Sequence, residues 1–276
     1  MNKIIINENC SVLRAISRNE LKGNWLTVTL CVYLYYLLLT VIPQVFNEFV
    51  SLGSITQYSE FARQNVTFSY IAYFYIMFFT GVFSVGICSF MIAFFRNKDI
   101  NPGYLFNGFE YYLKCFALSI VIGLFTFLWT LAFIVPGIIA AIRYSQAYFI
   151  LADDPDKGIM QCINESKYMM NGNKAKYFVL QLTFIGWLFL SAIPVSVFSN
   201  RNIIANDIVS FLLSTLTAVI LCIVIAYIKT TQTVFYDMLT EHLKAKPAFS
   251  ENDYHFVSSI TDDSETGSED NSGRQN

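Results

Sequence analysis

Residues 134–147, "IVPGIIAAIRYSQA", decide how this chain is folded, because an apolar run of membrane-spanning length contains a Pro-Gly pair and then a lone arginine, Arg143. If Phe116–Ala152 were one kinked helix, the loop 153–176, with Lys157, Lys167, Lys174 and Lys176, would face the side opposite the loop 96–115, with Arg96, Lys98 and Lys114. Basic residues of a membrane protein concentrate in its cytoplasmic loops, and that parse divides them. With Pro136-Gly137 as a tight turn between two helices, fifteen basic residues fall on one side. They include Lys3, Arg14, Arg18 and Lys22 before the first span and Lys229, Lys244, Lys246 and Arg274 after the last, while Arg63 and Arg201 alone fall on the other. The reading is therefore six helices with both termini cytoplasmic. Ile138–Ala152, with 15 residues, is expected to be short or partly re-entrant.

Composition supports that frame: 55% of residues are hydrophobic, 17% aromatic and only 14% charged, against roughly 25% charged in soluble domains. The apolar residues lie in blocks rather than alternating, which excludes an outer-membrane barrel. Spans are predicted at about 25–46, 68–95, 116–134, 138–152, 177–198 and 208–228. The fold class is all-α, a polytopic transmembrane bundle of three helical hairpins, each introduced by an interfacial segment. Residues 1–24 form an amphipathic cytoplasmic N-terminus in which Val12, Ala15, Ile16 and Leu21 share a face, as suits a helix lying on the anionic inner leaflet. The membrane domain covers 25–246 and ends in a post-membrane amphipathic helix over 229–246, whose Val234, Phe235, Met238 and Leu239 face membrane or bundle. Residues 247–276 hold seven acids and one arginine, and this Ser/Asp/Glu-rich tail is expected to be disordered and cytoplasmic.

Arg143 is the only formal charge inside the predicted spans. Nine residues before Ala152, it stands about 13 Å from the cytoplasmic end, where it must face protein, water or a head group rather than acyl chains. Carbonyls freed at Pro136, the hydroxyls of Tyr144 and Ser145, or Glu48 are candidate partners. Either Arg143 ties the short hairpin to its neighbours or it meets an anionic ligand, and both readings stand at this point. Gln146 completes the polar run 143–146. Pro136 and Gly137 mark the expected turn, and Gly172 and Asn173, suited to left-handed backbone, end an interfacial helix over 155–171. Trp25 fits an interfacial belt and Trp187 the bundle interior.

Chemistry-bearing motifs are few. There is no HExxH, no phosphate-cradling glycine loop and no GxSxG, and the two histidines, His242 and His255, lie in the C-terminal region. The six cysteines form no CxxC pair and read as small buried hydrophobes. Asp153, Asp154 and Asp156 resemble an acidic metal cluster, but Pro155 interrupts them, and capping of the following helix explains them better. No catalytic residue, metal or cofactor is expected, and the chain is not expected to be an enzyme. The partners expected are the bilayer, anionic head groups and an unidentified membrane protein, with no nucleic acid. The function expected is that of a non-enzymatic lipid- or partner-binding envelope protein; a small-solute transporter or channel component is the alternative.

"LKGNW" at 21–25, "PGIIAAIRYSQAYFILADDP" at 136–155, "SKYMMNGNKAKYFVLQLTFIGW" at 166–187 and "VFYDML" at 234–239 together make residues 10–242 resemble the uncharacterised integral-membrane family known as domain of unknown function 975. The resemblance implies a multi-helix protein of the bacterial plasma membrane, found mainly in Gram-positive species, with no established activity. It is also distantly similar to the membrane domains attached to some glycerophosphodiester phosphodiesterases, whose catalytic barrel has no counterpart in this chain.

Overall fold

The computed structural model describes residues 4–49, 54–59, 64–198 and 207–240. A short amphipathic helix, α1 (Cys10–Leu21), leads through a tight turn into α2 (Trp25–Tyr36), a π-helical stretch at Leu37–Val41 and α3 (Ile42–Phe49). The π-bulge sits just before Pro43, whose missing N–H and ring would otherwise collide with the preceding turn. Two antiparallel strands, β1 (Ser54–Ser59) and β2 (Gln64–Ser69), pair from Ser54 with Ser69 to Ser59 with Gln64, between the first two predicted spans and into the start of the second. Then come α4 (Tyr70–Asn97), a 3-10 segment (Pro102–Phe109), α5 (Tyr112–Ala132), α6 (Ile134–Tyr144) and α7 (Ala147–Asp153). The chain continues through α8 (Ile159–Met169), α9 (Lys174–Phe198) and α10 (Asp207–Leu239).

Among the described residues, six stretches are long and apolar enough to cross a membrane: Trp25–Phe46, Tyr70–Asn97, Tyr112–Ala132, Ile134–Asp153, Lys174–Pro194 and Phe211–Leu239. The chain is thus a multi-pass membrane protein of the all-α class. Residues 199–206 and those beyond Thr240, including His242 and His255, lie outside the described residues, as does the side chain of Glu48.

Several local expectations are corrected. The turn between α5 and α6 falls at Phe133, extended at φ −161° and ψ 150°, and not at Pro136-Gly137. Pro136 instead sits in the first turn of α6, where no intrahelical partner is lost. Gly137 is buried against Thr130, and a methyl group there would collide with the Thr130 side chain, so this glycine serves close helix packing. The helix expected over 138–152 is two short helices interrupted at Ser145-Gln146. α10 runs through without a break, so the expected separate helix over 229–246 is its continuation as far as Leu239; residues 241–246 lie outside the described residues. Trp187, expected in the bundle interior, is 60% exposed on α9, while the half-buried Trp25 at the start of α2 packs its ring 6.1 Å from Tyr227.

Among the described residues, the basic segments 10–22, 96–114 and 153–176 meet at one end of the bundle. Lys98 pairs with Glu20 of α1, Lys114 Nζ donates to the Pro155 carbonyl at 2.6 Å, and Lys176 Nζ donates to the Glu8 carbonyl at 2.9 Å. α1 lies against α10 through buried Leu13, Ile16 and Leu21, with the Tyr227 hydroxyl donating to the Arg14 carbonyl at 3.2 Å. α4 and the 3-10 segment approach closely because Gly86 and Gly108 carry no side chain: a methyl on Gly86 would strike the Leu105 carbonyl, and one on Gly108 the Val82 carbonyl. Gly86→Ala is expected to lower stability by about 1–3 kcal/mol through overpacking. Gly123→Ala, with nothing within 4 Å of the added carbon, is expected to leave the detergent melting midpoint unchanged; equal midpoints for both variants would refute the close-packing account.

Candidate functional site

The polar run 143–146 occupies the interruption between α6 and α7. Ending α6 at Tyr144 leaves carbonyls of its last turn without intrahelical partners. They are satisfied from two sides: the Ser145 hydroxyl donates to the Ile142 carbonyl at 2.8 Å, and the Ser166 hydroxyl of α8 donates to the Arg143 carbonyl at 2.8 Å. Gln146, fully buried, donates from Nε2 to the Ser145 hydroxyl at 3.0 Å. The Tyr177 hydroxyl of α9 stands beside Ser145, Gln146 and Gln181. Gln146 Oε1 and Gln181 Nε2 have no hydrogen-bond partner among the described residues.

Tyr144 is 4% exposed and packs 6.0 Å from the Phe125 ring. Lys167 of α8 lies over both rings, 5.7 Å from Tyr144 and 5.9 Å from Phe125. Its ammonium donates to Asn164 Oδ1 at 3.2 Å. Arg143 is half-buried in the last turn of α6, a favourable place for a cation at a helix C-terminus. Its guanidinium makes no hydrogen bond or ion pair among the described residues, so the hairpin is tied through the Arg143 carbonyl rather than through its side chain.

Pro136 and Gly137 stand at the far end of α6 and do not join this group. Gly172 takes the left-handed backbone expected of it, φ +94°, but Asn173 does not: Lys98 is the one non-glycine residue with positive φ among the described residues. Asn173 is instead fully buried and holds the N-terminal segment. Its Oδ1 accepts from the Ile6 N–H at 3.0 Å, while its Nδ2 donates to the Ile4 carbonyl at 2.8 Å and the Met169 carbonyl at 2.9 Å. The turn is built like the one at Gly23, φ +87°. Asn24 N–H donates to the Leu21 carbonyl and Asn173 N–H to the Met170 carbonyl, while Val28 and Tyr177 donate back to the two asparagine carbonyls. Lys22-Gly23-Asn24 and Asn171-Gly172-Asn173-Lys174 thus share a turn geometry.

A second polar centre escaped the sequence reading. Arg96, at the end of α4, grips two aspartates: Nη1 and Nη2 donate to the two oxygens of Asp153 at 2.6 and 3.2 Å, and Nε and Nη2 to Asp237 Oδ1 at 3.0 and 2.9 Å. The Tyr236 hydroxyl donates to Asp153 Oδ2 at 3.0 Å. The Asp237 side chain is 2% exposed, those of Arg96 and Asp153 about a fifth. This clamp fastens α4, α7 and α10 together. Asp153 therefore does not cap the following helix, which begins at Ile159 behind Gly158 with no acid in its first turn. The detectable signal was Asp237 itself, an acid set among Val234, Phe235, Tyr236 and Leu239, all buried.

Outside the spans, burial pushes the Cys162 thiol of α8 above its ordinary pKa, with nearby Lys157 opposing. The Tyr104 phenol, donating to Asp99 at 2.7 Å, is raised by that hydrogen bond.

No curated protein and no solved structure matches the chain. A family model does match, over a narrower range than the motifs suggested; its residues include Arg143–Gln146, Asp153, Asn173 and Asp237, while Arg96 and the LKGNW motif stand outside it. The resemblance drawn from the sequence is shown over residues 132–243, which match the family described as a protein of unknown function (DUF975).

Proposed function

We propose that this protein is a non-catalytic component of a bacterial plasma membrane that binds anionic lipid head groups at its cytoplasmic end, where both termini also lie. The observation that supports this reading is the convergence of the basic segments 10–22, 96–114 and 153–176 on one end of the bundle through Lys98–Glu20, Lys114–Pro155 and Lys176–Glu8. A bilayer's inner leaflet is anionic, and each Lys or Arg near it contributes about 1 kcal/mol of attraction. An end carrying many cations beside exposed apolar helices therefore settles at that leaflet.

Reporter fusions or cysteine labelling are expected to place 96–115 and 153–176 inside the cell; labelling of 153–176 from outside would overturn the orientation. Phosphatidylglycerol is expected to raise the melting temperature of the detergent-solubilised full chain by several degrees more than phosphatidylcholine, with the difference shrinking at high salt as exposed charges are screened. Equal shifts for the two lipids would remove the lipid-binding reading.

A further inference from the structure

We infer that Arg143 and Lys167 form a phosphate-binding site at the junction of α6 and α8. This deepens the lipid-binding reading and rests on it only for the source of the phosphate.

Three observations carry it. First, the two residues are brought to one junction: Ser166 bonds the Arg143 carbonyl, and the next residue, Lys167, lies over the ring of the residue after Arg143. Second, neither cation is neutralised by an acid among the described residues. The Arg143 guanidinium has no polar partner there, Lys167 has the neutral Asn164 amide, and Glu165, the acid nearest on α8, is engaged by Lys157 at 2.9 Å. Neither donor set is therefore committed to a carboxylate, and both are available to an anion. A guanidinium presents paired donors to phosphate oxygens while an ammonium adds a point charge, so the two together suit a tetrahedral anion.

Third, depth is set by α8. Its Gln161 and Asn164 are exposed, and its Glu165 pairs with Lys157 just before the helix, so α8 belongs in water or among head groups rather than acyl chains. The Ser166 bond ties the Arg143 backbone to that helix. From Arg143 to the Phe133 turn, α6 rises about 14 Å, and Ile134, Val135, Ile138 and Ile139 along it are exposed. A phosphate at the two cations thus has apolar surface beside it for acyl chains.

The test uses the full chain in detergent and reads the melting shift as phosphatidylglycerol, phosphatidylcholine or inorganic phosphate is added. Arg143→Gln and Lys167→Gln are each expected to weaken the response to phosphatidylglycerol about tenfold. The double variant should fall short of the product of the two, as for groups sharing one anion, while Lys167→Arg should retain the response. A response to inorganic phosphate lost in the same variants assigns a free phosphate; a response confined to the lipid assigns the head group. Wild-type preference for phosphatidylglycerol that persists in both Gln variants overturns the site and leaves the lipid-binding reading standing. Absence of that preference in the wild type removes the lipid-binding reading, and the site then stands or falls on the inorganic-phosphate arm. Lys167→Gln, on the surface of α8, keeps the test decisive if Arg143→Gln does not fold.

Discussion

Arg96→Ala is expected to destabilise the protein by about 3 kcal/mol or more, because it removes one partner of a buried ion pair. The guanidinium spends Nε, Nη1 and Nη2 on Asp153 and Asp237. Without it two carboxylates from α7 and α10 face each other, one with a side chain only 2% exposed. Arg96→Lys should recover only part of the loss, since a single ammonium cannot reproduce the forked contact to Asp153 and reach Asp237 as well. Asp153→Asn should cost less than either, because its side chain is about a fifth exposed and the Tyr236 hydroxyl retains an acceptor. Detergent melting followed by size-exclusion fluorescence measures the order. An alanine variant that melts with the wild type would mean that the clamp contributes nothing to holding α4, α7 and α10 together.

The second large effect is expected at Asn173. Asn173→Ala leaves the Ile6 N–H and the Ile4 and Met169 carbonyls without the amide that now serves them. A buried polar group left unsatisfied costs about 1–3 kcal/mol. The N-terminal segment is predicted to respond by detaching: amide exchange at residues 4–8 should accelerate by at least tenfold while the core of α4 keeps its protection, as expected for a local opening. Asn24 provides the internal comparison. It occupies the matching place in the Gly23 turn but makes no side-chain cap, so Asn24→Ala is expected to change stability by under about 0.5 kcal/mol. Equal losses at the two asparagines would show that the turn itself, and not the hold on the N-terminal segment, makes Asn173 matter.

The sequence by itself determined the class of this protein. Uncharged blocks such as Trp25–Phe46 and Ile208–Ile228 can bury their length only in hydrocarbon, a property of some twenty consecutive residues that needs no partner to be recognised. The distribution of Lys and Arg likewise required 96–115 and 153–176 to share one side, and hydrogen bonds from Lys114 to Pro155 and from Arg96 to Asp153 join them there. The left-handed glycine at 172 was also local, because only backbone geometry is at stake.

Tertiary structure decided where those elements stop and what their polar groups meet. A Pro-Gly pair serves equally as a turn or as a first helical turn followed by a packing glycine, and contact with Thr130 selected the second, moving the turn to Phe133. Arg143 reads as an isolated intramembrane charge until α8 folds back against its carbonyl, 23 residues along the chain. Arg96 finds Asp237 across 141 residues, and Asn173 finds Ile4 across 169. Hydrophobicity and helical periodicity act along the chain and are legible there. Hydrogen bonds and ion pairs between distant groups are chosen by which helix ends packing brings together, and that choice exists only in three dimensions.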